Sequence, residues 1–408
     1  MKVDRRNPRH WFRLCRFALA VLAAAVLRRI GAVRTNRRRV VFYGHRLAGN
    51  LQPIHDAVRA GAIPGVDAAF LTMDPSYRNA LHESGVHAIL AGSLESVRWL
   101  SDASVIVSDH GLHAMQFLLR WSDIRFADVW HGIPFKGFDA ADFVVHHRYD
   151  ETWVASPLMA EMYVQRFGFA PSRVRVTGYS RTDVLVRGAP DLATVRREFG
   201  LPSEGKIVLF APTWRQDDAG RQIIPFSLDV EAFLDAMAET ASAHGATAVL
   251  RLHLNSEASS RFERPGLRLV PFADHPATER LLLASDVLVC DWSSIAFDYL
   301  LLDRPTIFLD VPAPFRKGFS LGHEYRFGAI AEGRRAMERF IGEFIADPGV
   351  YAAMFGAAAE EVRRRIYGAY ADGEATRRCL DRLEALVTDR PRARRSSRGA
   401  GAIGTPTA

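Results

Sequence analysis

Ile124-Arg125-Phe126-Ala127-Asp128-Val129-Trp130-His131-Gly132-Ile133-Pro134-Phe135-Lys136 couples a strand to a chemically dense turn. The part up to Val129 has the apolar character of a buried strand. The turn after it carries a histidine, a glycine, a proline and a lysine. A histidine there can move a proton near neutral pH. Glycine lets backbone approach a ligand closely, and lysine holds a phosphate as a point charge. The same residues also read as an ordinary strand end with Trp130 in the core. The segments around them decide between the two.

Outward from this stretch, short apolar runs alternate with helix-period segments. Val40–Gly44, Ala68–Thr72, His87–Leu90, Val105–Ser108, Arg125–Trp130, Thr152–Ser156 and Val174–Gly178 read as strands. Helices are expected at 51–60, 94–100 and 157–167. After 187 the alternation resumes, with strands at Ile207–Phe210, Thr247–Leu252, Leu267–Pro271, Val287–Cys290 and Thr306–Leu309. Helices are expected there at 193–199, 230–244, 277–284, 295–302, 334–345, 350–365 and 373–388. Strands separated by helices of this length imply βαβ units and mainly parallel sheets. The fold class is therefore α/β, with two Rossmann-like halves joined near 187–191 and facing across a cleft. The segments divide as 1–38, 39–186, 187–388 and a tail at 389–408.

A chain of 408 residues is long enough for two such halves. Its net charge of +7 is unevenly spread. Residues 1–39 carry +11 and residues 390–408 carry +5, which leaves −9 on the body between them. Nucleic-acid binders more often carry the basic patch on the folded domain, so nucleic acid is not an expected partner. Basic ends on an acidic body suit an anionic membrane surface. The segment Trp11–Leu27 has an apolar run, Phe17 to Leu27, flanked by arginines. That run is short against the roughly 20 residues a spanning helix needs. The favoured reading is an interfacial helix on the cytoplasmic leaflet; a short span, a plain packing helix and a signal segment are the alternatives. Cys15, Cys290 and Cys379 are too scattered for a disulfide framework or a metal pattern. The tail, rich in Arg, Ser and Gly, is expected to be disordered.

Ligands of open parallel sheets sit beyond the carboxyl ends of strands, and four such ends are chemically dense. They are His131 to Lys136; Thr213-Trp214-Arg215; Arg251-Leu252-His253-Leu254-Asn255; and Asp291-Trp292-Ser293-Ser294. Alternation places Arg251, His253 and Asn255 on one face. Ser293 and Ser294, opening a helix, combine hydroxyls with backbone N–H groups as an anion site. Each has a bland reading. The serines are ordinary N-cap residues, His253 a satisfied histidine, Arg215 a surface ion pair. Four together describe a phosphate-rich ligand, with two histidines for proton transfer or charge stabilisation. No phosphate-binding P-loop, dinucleotide fingerprint or H-E-x-x-H motif occurs. Asp109-His110-Gly111-Leu112-His113 is a weak metal-pair pattern, and no metal is assigned to it.

These residues, in this order and spacing, resemble the CDP-glycerol glycerophosphotransferases, the teichoic-acid primase and polymerase group. Its W-H-G-x-P-x-K pattern is met by Trp130, His131, Gly132, Pro134 and Lys136. A-P-T-W-R is met by Ala211 to Arg215, and R-x-H-x-N by Arg251, His253 and Asn255. D-x-S-S followed by F-D is met by Asp291, Ser293, Ser294, Phe297 and Asp298. Looser matches are Gly178 to Asp183 and Asp372 to Arg377. Ile133, Leu254, Trp292 and Ser180 depart from the residues common in the family.

The resemblance implies a GT-B fold with an N-terminal acceptor half and a C-terminal CDP-donor half. It implies transfer of a polyol phosphate from a CDP-polyol donor to a lipid-linked or polymer acceptor, in teichoic-acid-like or capsular synthesis, with release of CMP. It implies no cofactor and no metal. His131 is then the base on the acceptor hydroxyl, and His253 the partner of the phosphoryl oxygens or departing CMP. Gly132, Lys136, Thr213, Arg215, Arg251, Asn255, Asp291, Ser293, Ser294 and Asp298 form the expected substrate and donor site. A GT-B glycosyltransferase using a nucleotide sugar and a non-catalytic nucleotide-binding scaffold are the rival functions.

Overall fold

Alternate residues of each apolar run are buried on opposite sides of its strand, as a parallel strand between two helical layers requires. Val40 and Phe42 enter one core, Val41 and Tyr43 another. In the second half, Val208 and Phe210 enter one core, and Ile207, Leu209 and Ala211 another. The computed structural model describes residues 8–31, 38–188, 191–213, 229–252, 262–313, 315 and 317–388. Arg215, His253, Asn255 and the 389–408 tail lie outside the described residues.

The first sheet holds β1 (Arg38–Tyr43), β2 (Val66–Thr72), β3 (Ala88–Leu90), β4 (Ala103–Ser108), β5 (Arg125–Asp128), β6 (Glu151–Val154) and β7 (Val174–Val176). Its order is β3-β2-β1-β4-β5-β6-β7, parallel throughout. The second holds β8 (Lys206–Ala211), β9 (Ala246–Leu250), β10 (Leu267–Leu269), β11 (Val287–Cys290), β12 (Thr306–Leu309) and β13 (Ala329–Ala331), in the order β10-β9-β8-β11-β12-β13. The order reverses between β1 and β4, and again between β8 and β11. These reversals open the crevices in which such sheets bind ligands.

The strand and helix assignments read from the sequence hold with shifts of a few residues, with four omissions, two of them the short helices Leu118–Trp121 and Asp183–Arg187. The helix Pro75–Glu83 was not expected, although Asp74 caps it by accepting from the Ser76 and Tyr77 amides. Strand β13 is three residues long, too short for a pattern to show.

Two helices from the chain ends cover the first sheet. Pro8–Ile30 is longer than the expected segment, and it buries Phe17, Val21 and Ala24 against the sheet's outer layer. Arg28 ties it down, donating to the carbonyls of Ser101 at 3.1 Å and Ala103 at 2.8 Å and pairing with Asp123. On the other face lies Ala375–Thr388, whose Cys379, Leu383 and Leu386 join Val40 and Phe42. The expected boundaries place this helix with the second half; its packing places it with the first. Asp183 fixes its start by accepting from the Ala375 and Thr376 amides at 2.9 and 2.7 Å.

Candidate active site

Strand β5 stops at Asp128, two residues before the sequence pattern suggests, because the chain reverses sharply. Trp130 adopts a left-handed backbone with φ +46°, a costly state for a bulky residue. Three hydrogen bonds hold it there. Asp128 Oδ1 accepts from the Trp130 amide at 3.2 Å. Buried Asn50 donates to the carbonyls of Val129 at 2.9 Å and Trp130 at 3.1 Å. The reversal sends the Trp130 ring into an aromatic cluster with Phe138 and Phe143 and turns His131 into a cavity. Trp130 is thus both a core residue and the frame of the motif.

His131 faces open space at the bottom of the cleft between the two halves, where protein surrounds it. Its Nδ1 lies 3.1 Å from the Asp109 carbonyl. A carbonyl only accepts, so Nδ1 carries the proton and Nε2 is left as the base. Removal from bulk solvent, and then the His110 charge, push the His131 pKa well below 6.5, so the neutral, proton-accepting form prevails. His110 stacks on His131 at 4.6 Å and 11°, and its Nδ1 meets Asp109 Oδ1 at 2.7 Å. Burial works against the His110 charge, but Asp109 outweighs it and raises the pKa.

The opposite wall comes from the second sheet. Thr213 and Arg251 line it at the ends of β8 and β9, with Ser293 and Ser294 after β11. Arg251 is buried, donates to Thr278 Oγ1 at 2.8 Å, and has its pKa lowered to about 10 by burial. Ser294 starts the helix Ile295–Leu300 but makes no side-chain capping bond. The bland N-cap explanation therefore leaves its hydroxyl unused. Asp291 sits behind the wall. It accepts from the Thr213 amide at 2.8 Å and also from its hydroxyl, which fixes the end of β8.

The walls touch. A Cβ on Gly132 would lie 3.2 Å from Ser294 Oγ and 3.3 Å from an Arg181 nitrogen, so glycine lets the two motifs meet. Phe135 packs on Trp292 and Phe297. The Gly137 amide donates to the Gly318 carbonyl at 2.7 Å. Lys136 lines the same cavity, with its ammonium 5.2 Å from the Phe138 ring.

Arg181 ties both halves to the turn. It donates to the His131 carbonyl at 2.6 Å, and its other terminal nitrogen lies 2.9 and 2.8 Å from the two Asp298 oxygens. Glu279 stands 3.9 Å away. Burial works against the Arg181 charge, but Asp298 and Glu279 outweigh it and raise the arginine pKa above its ordinary value.

The cavity between the walls has a volume of ≈ 580 Å³. Of the expected site residues described, His131, Gly132, Lys136, Thr213, Arg251, Ser293, Ser294 and Asp298 line it. Asp291 acts through Thr213, and Asp298 is engaged by Arg181. Sequence reasoning missed Asn50 and His45, and it quoted Arg181 only within a looser match. The Asp109–His113 stretch splits: His110 joins the cavity, while His113 Nδ1 pairs with the Tyr43 hydroxyl at 2.7 Å. The usable signal was the position of His45 and His110 just past two strand ends. Among the described residues, no group of three or more His, Cys, Asp or Glu is placed to hold a metal ion.

The profile of the CDP-glycerol:poly(glycerophosphate) glycerophosphotransferases matches residues 26–385. The chain belongs to that family. Among its relatives, the teichoic acid poly(glycerol phosphate) polymerase of Staphylococcus epidermidis is 27% identical over 239 residues, covering 52% of this chain and 31% of that protein. The polymerase of the same description from Bacillus spizizenii is 22% identical over 343 residues, covering 78% and 85%. The chain therefore spans about a third of the first of these relatives and most of the second. The solved wall teichoic acid polymerase TagF superposes with a TM-score of 0.71 at 19% identity, over 92% of this chain and 94% of that one. The shared architecture is the expected GT-B fold.

Proposed function

We propose that this glycerophosphotransferase-family protein transfers a polyol phosphate from a CDP-activated donor to a hydroxyl of a polymer or lipid-linked acceptor. Membership of the family supports glycerol phosphate as the transferred group, and one TagF structure comes from a soak with CDPG. The observation that carries the reading is His131, with Nε2 free as a base and its turn in contact with Ser294 on the donor wall.

The acceptor oxygen attacks the β-phosphorus while its proton passes to His131 Nε2. The new O–P bond forms as the P–O bond to CMP breaks, and CMP leaves with that electron pair. Arg251, Thr213, Ser293, Ser294 and Lys136 hold the pyrophosphate. Arg215 and Asn255 join them, and His253 stabilises the phosphoryl oxygens as charge develops. Asp291 keeps Thr213 in place.

The protein works at a membrane surface. Pro8–Ile30 is long and apolar enough to cross a membrane by length and composition. Its inner face, however, is packed on the body and tied by Arg28. Its outer face exposes Phe12, Leu19, Leu22, Val26 and Ile30, and Phe117 and Trp121 of the neighbouring segment are exposed too. With arginines at both ends, this favours a helix lying on an anionic leaflet over one that spans it.

CMP release from CDP-glycerol tests the reading, with His131→Ala and His253→Ala each expected to lose at least about 100-fold. Near wild-type turnover in both variants, or consumption of a nucleotide sugar in place of the CDP-polyol, overturns it.

A further inference from the structure

We propose that His45 and His110 form an anion subsite that holds the acceptor's own phosphodiester while its terminal hydroxyl meets His131. The inference rests on the reading of His131 as the base and adds where the acceptor lies.

The place follows from topology. The first sheet reverses its order between β1 and β4, and the crevice at such a point is where a parallel sheet binds its ligand. His45 and Arg46 follow β1; Asp109 and His110 follow β4. All four line the cavity on the side away from Thr213 and Ser293. The donor groups occupy the second sheet's reversal, which leaves the first sheet's crevice for the other substrate.

The side chains there can donate to an anion, His45 as a neutral imidazole whose pKa burial and the His110 charge lower to about 3. The His45 ring lies 4.4 Å from His110, and the His110 ring 4.6 Å from His131, so three imidazoles run along one wall. Asp109 accepts from His110 Nδ1 and favours the charged imidazolium, whose Nε2–H can then donate to an anion. Gly44 makes the brace possible: a Cβ there would stand 2.5 Å from Asp109 Oδ1. His45 makes no hydrogen bond or ion pair with any described residue. Arg46 is engaged by Asp74 at 3.5 Å and by the Tyr77 ring at 4.1 Å, and it lines the cavity beside the two imidazoles.

The chemistry of the reaction supplies the ligand. Each transfer leaves a chain end with a free hydroxyl on one side of the polyol and a phosphodiester on the other. One three-carbon unit separates the two, on the same scale as the ring-to-ring steps of 4.6 and 4.4 Å. A hydroxyl at His131 therefore puts its phosphodiester beside His110 and His45.

The test is calorimetric binding of glycerophosphoglycerol, two glycerols joined by one phosphodiester, to the full chain. Uncharged diglycerol serves as the control. His110→Gln and His45→Gln are each expected to weaken glycerophosphoglycerol binding at least tenfold, with diglycerol and CDP-glycerol binding within twofold of wild type. In turnover, acceptor KM rises by a similar factor while donor KM holds. Unchanged glycerophosphoglycerol affinity in both variants, or an equal loss for diglycerol, overturns the subsite. His45→Gln decides alone if His110→Gln does not fold. Failure of wild-type protein to release CMP from CDP-glycerol strikes the transfer reaction, while the binding comparison still decides the subsite.

Discussion

Replacing Arg181 by methionine probes the link between the two halves. The guanidinium contacts both Asp298 oxygens, at 2.9 and 2.8 Å, and the His131 carbonyl at 2.6 Å, with Glu279 at 3.9 Å. Arg181, Asp298 and Glu279 are all buried. Methionine keeps much of the apolar volume but leaves two buried carboxylates without their cation. Removing one partner of such a pair costs about 3–5 kcal/mol, because the remaining charge stays desolvated. Asp298→Asn removes the charge from the other side, so the double variant should recover part of the loss, with a coupling of roughly 0.5–3 kcal/mol. Urea unfolding of the four proteins measures this. Burial already pushes the Asp298 carboxyl above its usual range, and loss of Arg181 raises it further. A carboxyl with a raised folded pKa favours the folded state at low pH and loses that advantage as pH rises. The deficit of Arg181→Met is therefore largest at neutral pH and shrinks toward about pH 4. In turnover, the freed His131 turn should lower kcat about 100-fold. A Arg181→Met variant within about 1 kcal/mol of wild type, or simple additivity with Asp298→Asn, refutes the clamp.

Three further outcomes are expected. His131 has its pKa held well below 6.5 by removal from bulk water and by His110, so the acid limb of kcat/KM for CMP release should fall below about 6.5; a limb above that value removes His131 as the base. Gly132→Val drives branched carbons into Ser294 Oγ and Arg181, already 3.2 and 3.3 Å from a single added Cβ, and should lower kcat/KM about 100-fold by parting the walls; wild-type turnover contradicts the contact. Replacing Leu19 and Leu22, both exposed, by aspartate should weaken sedimentation with phosphatidylglycerol vesicles at least tenfold without shifting the urea midpoint; unchanged sedimentation rules out that face.

Much of this was legible along the chain. The two-residue and helical periods of the apolar runs report the sheet and its covering helices, because burial on both faces leaves a local imprint. The polar residues clustered at strand ends report where a ligand sits, because a parallel sheet offers its crevice there. His131, Thr213, Arg251 and Ser294, which line one cavity, were all picked out in this way. Their partners were not. Arg181 and Asp298 are 117 residues apart, and Gly132 meets Ser294 from the other half. Nothing in the local pattern of either residue names the other. Those meetings depend on strand order and on how the two sheets face each other. The same holds for Asn50, whose amide supports a left-handed tryptophan from across the first sheet. It holds for the last helix, which returns to the first sheet through the Asp183 cap. The sequence by itself determined the elements and the chemistry at their ends. Only the tertiary structure decided which ends meet, which tautomer His131 adopts and which imidazoles line its wall, because these are set by contacts between segments distant in the chain.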